Sequence, residues 1–123
     1  MILVDTSVWI DFFRYSNHSL SEQLTEHLEN GTAVALSAVF GELLQGVRSG
    51  HEEKIILEFW NNTSKVEEKN LFIEAGKLSS QFNLESSGVG LIDCYMLAAA
   101  RMSNYRIWTL DKCLLDAYTR LIR

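Results

Sequence analysis

The sequence predicts an α/β domain in which a parallel sheet lies between layers of helices, and three observations carry that prediction. Ile2–Val4 is a short run of apolar, mostly β-branched residues, the pattern of a strand buried on both faces in the middle of a parallel sheet. Thr32–Leu36 and Arg106–Thr109 are further short strand candidates. Between them stand segments whose apolar residues recur at helical spacing, and alternating strands and helices pair in parallel with helices covering both faces. With 123 residues, 47% of them hydrophobic, the chain forms one domain, residues 1–123. A chain of this length buries roughly two-thirds of its unfolded surface.

Asp5 stands at the carboxyl end of the first strand, where ligands of open α/β sheets bind. Thr6 or Ser7 caps a helix from Ser7 to Tyr15, with Val8, Phe12 and Tyr15 at helical spacing and Arg14 on the more polar side near Asp11. Ser19 with Glu22 forms a capping-box pattern, and Leu20, Leu24 and Leu28 make a stripe that stops at Asn30-Gly31. After the strand Thr32–Leu36, Ser37 caps a helix from Ala38 to Ser49 whose core face is Phe40, Leu43, Leu44 and Val47. Glu42 lies on its other side, bordered by Ala38, Gly41, Gln45 and Gly46, which leave room for a cleft. From Thr32 to Val47 it is the only charge.

A helix from His51 to Asn61 is anchored by Ile56, Phe59 and Trp60, and Ser64–Glu67 is a short edge strand. Leu71, Ala75, Leu78 and Phe82 give another helix, in which Gly76 suggests close packing against a neighbour. The loop Leu84–Gly90 opens into Leu91–Ser103, apolar almost all round and therefore buried, with Asp93 in its first turn. The strand Arg106–Thr109 leads to Asp111, a short helix to Tyr118 and a terminal strand Arg120–Ile122.

Composition excludes several classes. Cys94 and Cys113 fit no CxxC or zinc pattern, and His18, His27 and His51 lack metal-ligand spacing, so a thiolate or imidazole metal site is not expected. Two scattered thiols suit a reducing compartment. The amino-terminal stretch has no basic region before its apolar start, and the longest charge-free run, Asn30–Gly41, is too short to span a bilayer; the expectation is a soluble, cytoplasmic protein. The net charge of −5 argues against a broad phosphate-tracking surface. It is unevenly spread: Met1–Cys94 carries six basic and fourteen acidic residues, Tyr95–Arg123 five basic and two acidic. Bound metal would neutralise part of the excess.

Asp5, Glu42, Asp93 and Asp111 are each a solitary charge in or beside an apolar segment. Unpaired buried carboxylates are costly, and several close together do not all stay ionised without a compensating cation. Four oxygen donors without His or Cys select a hard ion, Mg²⁺ or Mn²⁺. Such an ion turns water into a nucleophile at neutral pH and stabilises charge on a phosphodiester; two ions about 4 Å apart do both. Each acid also has a simpler account. Asp5 is suited to a turn or N-cap, Asp93 to the first turn of its helix, where the dipole favours it by roughly 0.3–1 kcal/mol, Glu42 to solvent, and Asp111 to the N-cap of the last helix. Those accounts are independent of one another, whereas a shared cation explains all four.

Thr6, Ser7 and Thr109 are hydroxyls at the same strand ends, suited to a phosphate oxygen or equally to capping. Arg14 and Lys112 are the basic residues nearest these acids and are candidates to hold a substrate backbone, or plain surface charges. Trp9, Phe12 and Phe13 are candidates to stack bases, although an aromatic cluster on a first helix is more often core.

Asp5-Thr6-Ser7-Val8-Trp9-Ile10-Asp11-Phe12-Phe13-Arg14, then Glu42-Leu43-Leu44-Gln45-Gly46-Val47-Arg48, Val89-Gly90-Leu91-Ile92-Asp93 and Thr109-Leu110-Asp111-Lys112 resemble, in order and spacing, the PIN-domain ribonucleases, in particular the VapC-like toxins of prokaryotic toxin–antitoxin pairs. The resemblance implies a parallel five-stranded sheet sandwiched by helices. It implies a Mg²⁺- or Mn²⁺-dependent endoribonuclease whose acids correspond to Asp5, Glu42, Asp93 and Asp111, with RNA, by family analogy tRNA, as substrate. It further implies a homodimer held by a small antitoxin whose tail blocks the cleft. The last motif departs from the family, which often has another Asp and a Phe where Cys113 and Leu114 stand here; Asp116 is the candidate to compensate. A phospho-acceptor receiver domain has similar length and strand-end acids, but it pairs acids after its first strand and carries a late Lys-Pro, and this chain has no proline. A PIN fold acting only as a binding module would be marked by a lost carboxylate, and all four are present.

Overall fold

The computed structural model describes residues 1–122. Four strands and seven helices follow one another as β1 (Ile2–Val4), α1 (Thr6–Arg14), α2 (His18–Glu29), β2 (Ala33–Ala35), α3 (Ser37–Gln45), α4 (Gly50–Asn62), β3 (Ser64–Lys65), α5 (Leu71–Phe82), α6 (Leu91–Ser103), β4 (Arg106–Trp108) and α7 (Lys112–Leu121), with one 3-10 turn at Glu85–Ser87. The sheet order is β3-β2-β1-β4 and every pairing is parallel. Leu3 is registered with Val34 on one side and Ile107 on the other, so β1 is an inner strand, as its apolar run requires. Leu3 and Val4 are fully buried.

The sheet has four strands, not five. Arg120 and Leu121 close α7, and the Ile122 amide donates to the Tyr118 carbonyl at 2.9 Å, one helical turn back. Leu114, Ala117, Tyr118 and Leu121 repeat at helical spacing and pack inward, so an amphipathic helix claims the residues that also read as a short strand.

Other boundaries shift for local reasons. Asn17, not Ser19, caps α2, accepting the Leu20 amide at 3.1 Å. The expected helix to Ser49 ends at Gln45, because Ser49 caps α4 by accepting the Glu52 amide at 3.2 Å while Glu52 accepts the Arg48 amide at 2.8 Å. Ser37 is the first residue of α3 and not its cap. Gly76 faces open space, so no close approach explains it.

Trp9 is fully buried and touches four other rings, with Phe12, Phe13, Phe40 and Phe59 at centroid distances of 5.2–5.9 Å. This cluster joins α1 to α3 and α4. Trp9 is thereby core and not a base-stacking platform, and Phe12 and Phe13 pack against the same core. Its Nε1 is buried without a hydrogen-bond partner, a cost that phenylalanine avoids. Trp9→Phe is therefore expected to lower the unfolding free energy by less than about 2 kcal/mol, against about 3–5 kcal/mol for Trp9→Ala. Urea unfolding of the two variants checks the difference.

Candidate active site

The first element of the site is the end of β1. Asp5 is 7% exposed and occupies the N-cap position of α1, yet its side chain accepts no capping bond. The Asp5 carboxylate faces hydroxyls instead: Oδ2 accepts from Ser7 Oγ at 2.8 Å and from Thr109 Oγ1 at 2.7 Å. Its backbone amide donates to the Trp108 carbonyl at 3.0 Å. Ser7 Oγ in turn accepts the Leu110 amide at 2.9 Å, and Thr109 Oγ1 accepts the Asp111 amide at 3.0 Å. The start of α1 and the turn after β4 are thus laced together around one carboxylate, whose Oδ1 takes no part in this lacing.

Glu42 projects from α3, exposed, and its Oε1 accepts from Thr6 Oγ1 at 2.7 Å. Asp93 is the third residue of α6 and half-buried. Asp111 caps α7, its Oδ1 accepting the Cys113 amide at 2.9 Å and the Leu114 amide at 3.5 Å. The simpler account of Asp111 is therefore present in the fold, and it uses one oxygen of two.

Three of the acids act on the fourth. Burial, then the charges of Asp5, Asp111 and Glu42 in that order, push the Asp93 carboxyl from its ordinary 3.8 up to about 6. A helix N-terminus favours a carboxylate by roughly 0.3–1 kcal/mol, worth less than one pKa unit, so dehydration and repulsion outweigh it. Among the described residues no three His, Cys, Asp or Glu side chains stand close enough to clasp one ion together. Mg²⁺ does not need three, since it is commonly bound through one or two carboxylates and keeps several of its waters. An all-oxygen donor set with a surplus of negative charge that a dication would relieve fits such an ion.

The remaining sequence candidates divide. The Thr6 and Thr109 protons are committed to Glu42 and Asp5, so in this arrangement both hydroxyls orient acids. Arg14 and Lys112 are exposed and form no ion pair among the described residues. Arg14 and Glu42 both line a groove of about 690 Å³ between α1, α3 and α4, together with Ile10, Phe13, Val47 and Ile56. Gly46, one of the small residues expected to leave room for a cleft beside Glu42, also lines it. Cys113 lies in the first turn of α7, its Sγ 3.8 Å from the Gly88 carbonyl, and Asp116 is exposed farther along the helix and is not among the acids acting on Asp93. Glu68 is the polar side chain that sequence reasoning missed. Its carboxylate accepts from Ser37 and Tyr95, and nothing in Glu67-Glu68-Lys69 distinguishes it from a solvated charge run.

A family model described as PIN domain matches residues 2–119. No curated protein matches the sequence. Among solved structures, VapBC2 from Rickettsia felis bound to a DNA fragment from their promoter is similar with a TM-score of 0.73 and 19% identity, over 99% of this chain and 94% of that one. FitAcB from Neisseria gonorrhoeae is similar with a TM-score of 0.67 and 18% identity, over 97% of this chain and 94% of that one. At such identity the likeness is one of fold.

The raised Asp93 carboxyl has a consequence for stability. Between pH 4 and 6 the metal-free folded chain retains a proton on Asp93 that the unfolded chain releases, so this group makes stability fall as pH rises through that window. In chelator at pH 7, Asp93→Asn is expected to unfold at higher urea than the wild type, with the gap closing toward pH 4. Urea midpoints of both proteins at pH 4, 5, 6 and 7 measure this.

Proposed function

The chain belongs to the PIN-domain family, and from that premise we propose that it is a divalent-metal-dependent endoribonuclease and the toxin of a toxin–antitoxin pair. The observation that supports the proposal is the surplus of negative charge felt at Asp93, whose carboxyl is pushed up by burial and by Asp5, Asp111 and Glu42, acids spread over up to 106 sequence positions. Asp5, Asp93, Glu42 and Asp111 would hold Mg²⁺ or Mn²⁺ between them, one or two directly and the others through its retained waters. When bound, such an ion would supply a nucleophile from water at neutral pH and stabilise the charge that builds on the phosphodiester.

The chain's own groups do the rest. Ser7 and Thr109 fix the rotamer of Asp5 by donating to Oδ2, and Thr6 aims Glu42. Arg14 and Lys112, uncommitted to internal pairs among the described residues, bind phosphates on either side of the cleft. A net charge of −5 limits the footprint to a short single-stranded segment, such as an exposed loop of a structured RNA, with tRNA the substrate class suggested by the family.

The groove between α1, α3 and α4 is lined by Glu42 and Arg14 among apolar side chains, and it suits the tail of a small antitoxin that blocks the cleft. Phe72, Ile73 and Leu91 are between 47% and 65% exposed on α5 and α6, apolar surface suited to a homodimer. No helix of the described residues is long and apolar enough to cross a membrane, and the proposed reaction places the protein in the cytoplasm with its RNA.

Purified protein incubated with total RNA is expected to cleave with Mg²⁺ or Mn²⁺ and to stop with excess chelator. Asp93→Asn is expected to lower the rate at least a hundredfold while remaining folded, and Arg14→Ala to lower it about tenfold. Cleavage that persists in chelator, or undiminished in Asp93→Asn, overturns the proposal.

A further inference from the structure

The first turn of α3 lacks a cap of its own. Leu36 occupies the N-cap position and has no side chain that accepts a hydrogen bond, while the first amides of any helix have no partner within it. A carboxylate from elsewhere fills the role. Glu68, in the connection between β3 and α5, accepts the Ser37 amide on Oε2 at 2.9 Å and the Ser37 hydroxyl on Oε1 at 2.5 Å. The same Oε1 accepts the Tyr95 hydroxyl at 2.5 Å. Tyr95 is only 9% exposed and lies on α6, two residues beyond Asp93. Ser37 lies five residues before Glu42 on α3, about 7.5 Å along the axis.

One half-buried side chain therefore fastens the helix that carries Glu42 to the helix that carries Asp93. Its own backbone is held: the Val66 amide donates to the Ala35 carbonyl at 3.0 Å, and the Leu71 amide to the Glu68 carbonyl at 3.0 Å. No Lys or Arg pairs with Glu68 among the described residues, so its charge is met by these three donors and by the positive end of α3. Glu68 is not among the acids that press on Asp93.

We infer that Glu68 is a positioning residue for the metal pocket: its carboxylate clamps the start of α3 to α6 and sets the spacing between Glu42 and Asp93. The inference rests on the metal-dependent reading of the site given above. Glu42 needs such a device more than Asp5 does, because it is exposed and its side chain has one hydrogen bond, from Thr6.

Calorimetric titration of the metal-free full chain with MgCl₂ and with MnCl₂, together with hydrogen exchange of the α3 amides, tests this. Loss of the clamp in Glu68→Ala is expected to weaken metal binding about tenfold, at the low end of what lost supporting contacts cost metal sites, and to speed exchange in the first turn of α3. Tyr95→Phe, which keeps both Ser37 contacts, is expected to weaken binding about threefold, and it decides the matter if Glu68→Ala does not fold. Leu24→Val, a core loss on α2 that leaves the clamp intact, is expected to lower stability with wild-type metal affinity. Wild-type affinity in the clamp variants overturns the positioning role alone. A wild-type protein that binds neither ion overturns the nuclease reading and this inference together.

Discussion

Two hydroxyl protons, from Ser7 and Thr109, converge on one oxygen of Asp5, and the geometry of the pocket depends on that meeting. It aligns the end of the central strand β1 with the end of β4, and it leaves Asp5 Oδ1 outside the lacing. Asp93 has no comparable donors and bears the stress of the site, its carboxyl pushed up to about 6. Asp5 thus sits among local donors, whereas Asp93 stands in the field of its neighbours.

Around that pair, the weaker members are held by the elements they ride on. Glu42 depends on the placement of α3, which Glu68 sets from outside, and on a single bond from Thr6. Asp111 divides its oxygens, with Oδ1 turned to the first amides of α7. The aromatic cluster about Trp9 joins α1 to α3 and α4, the helices that line the groove and carry Glu42.

Most of the strands and helices were legible because their apolar residues repeat with the period of the element that buries them. Leu71–Phe82 and Leu91–Ser103 are helices over the spans that their patterns indicate. The acids were legible as solitary charges within such patterns. What could not be read depends on tertiary context. Arg120–Ile122 satisfies a strand and a helix equally until Leu114 and Tyr118 find a core to pack on. Ser19 matches a capping box, yet Asn17 stands two residues earlier and takes the role. Glu68 resembles any surface glutamate, because its partners Ser37 and Tyr95 lie 31 and 27 positions away in opposite directions along the chain.

The sheet order places β1 between β2 and β4, so closure of the pocket waits on a contact between Asp5 and Thr109, 104 positions apart. A ribosome releases β1, β2 and their helices well before Arg106–Trp108 emerges. Until then Asp5 lacks the Thr109 hydroxyl, and Asp111 and its helix do not exist as a cap. The acids on either side of this junction are therefore brought together only by a late, long-range pairing of β1 with β4, a contact far costlier in chain entropy than any within a single helix.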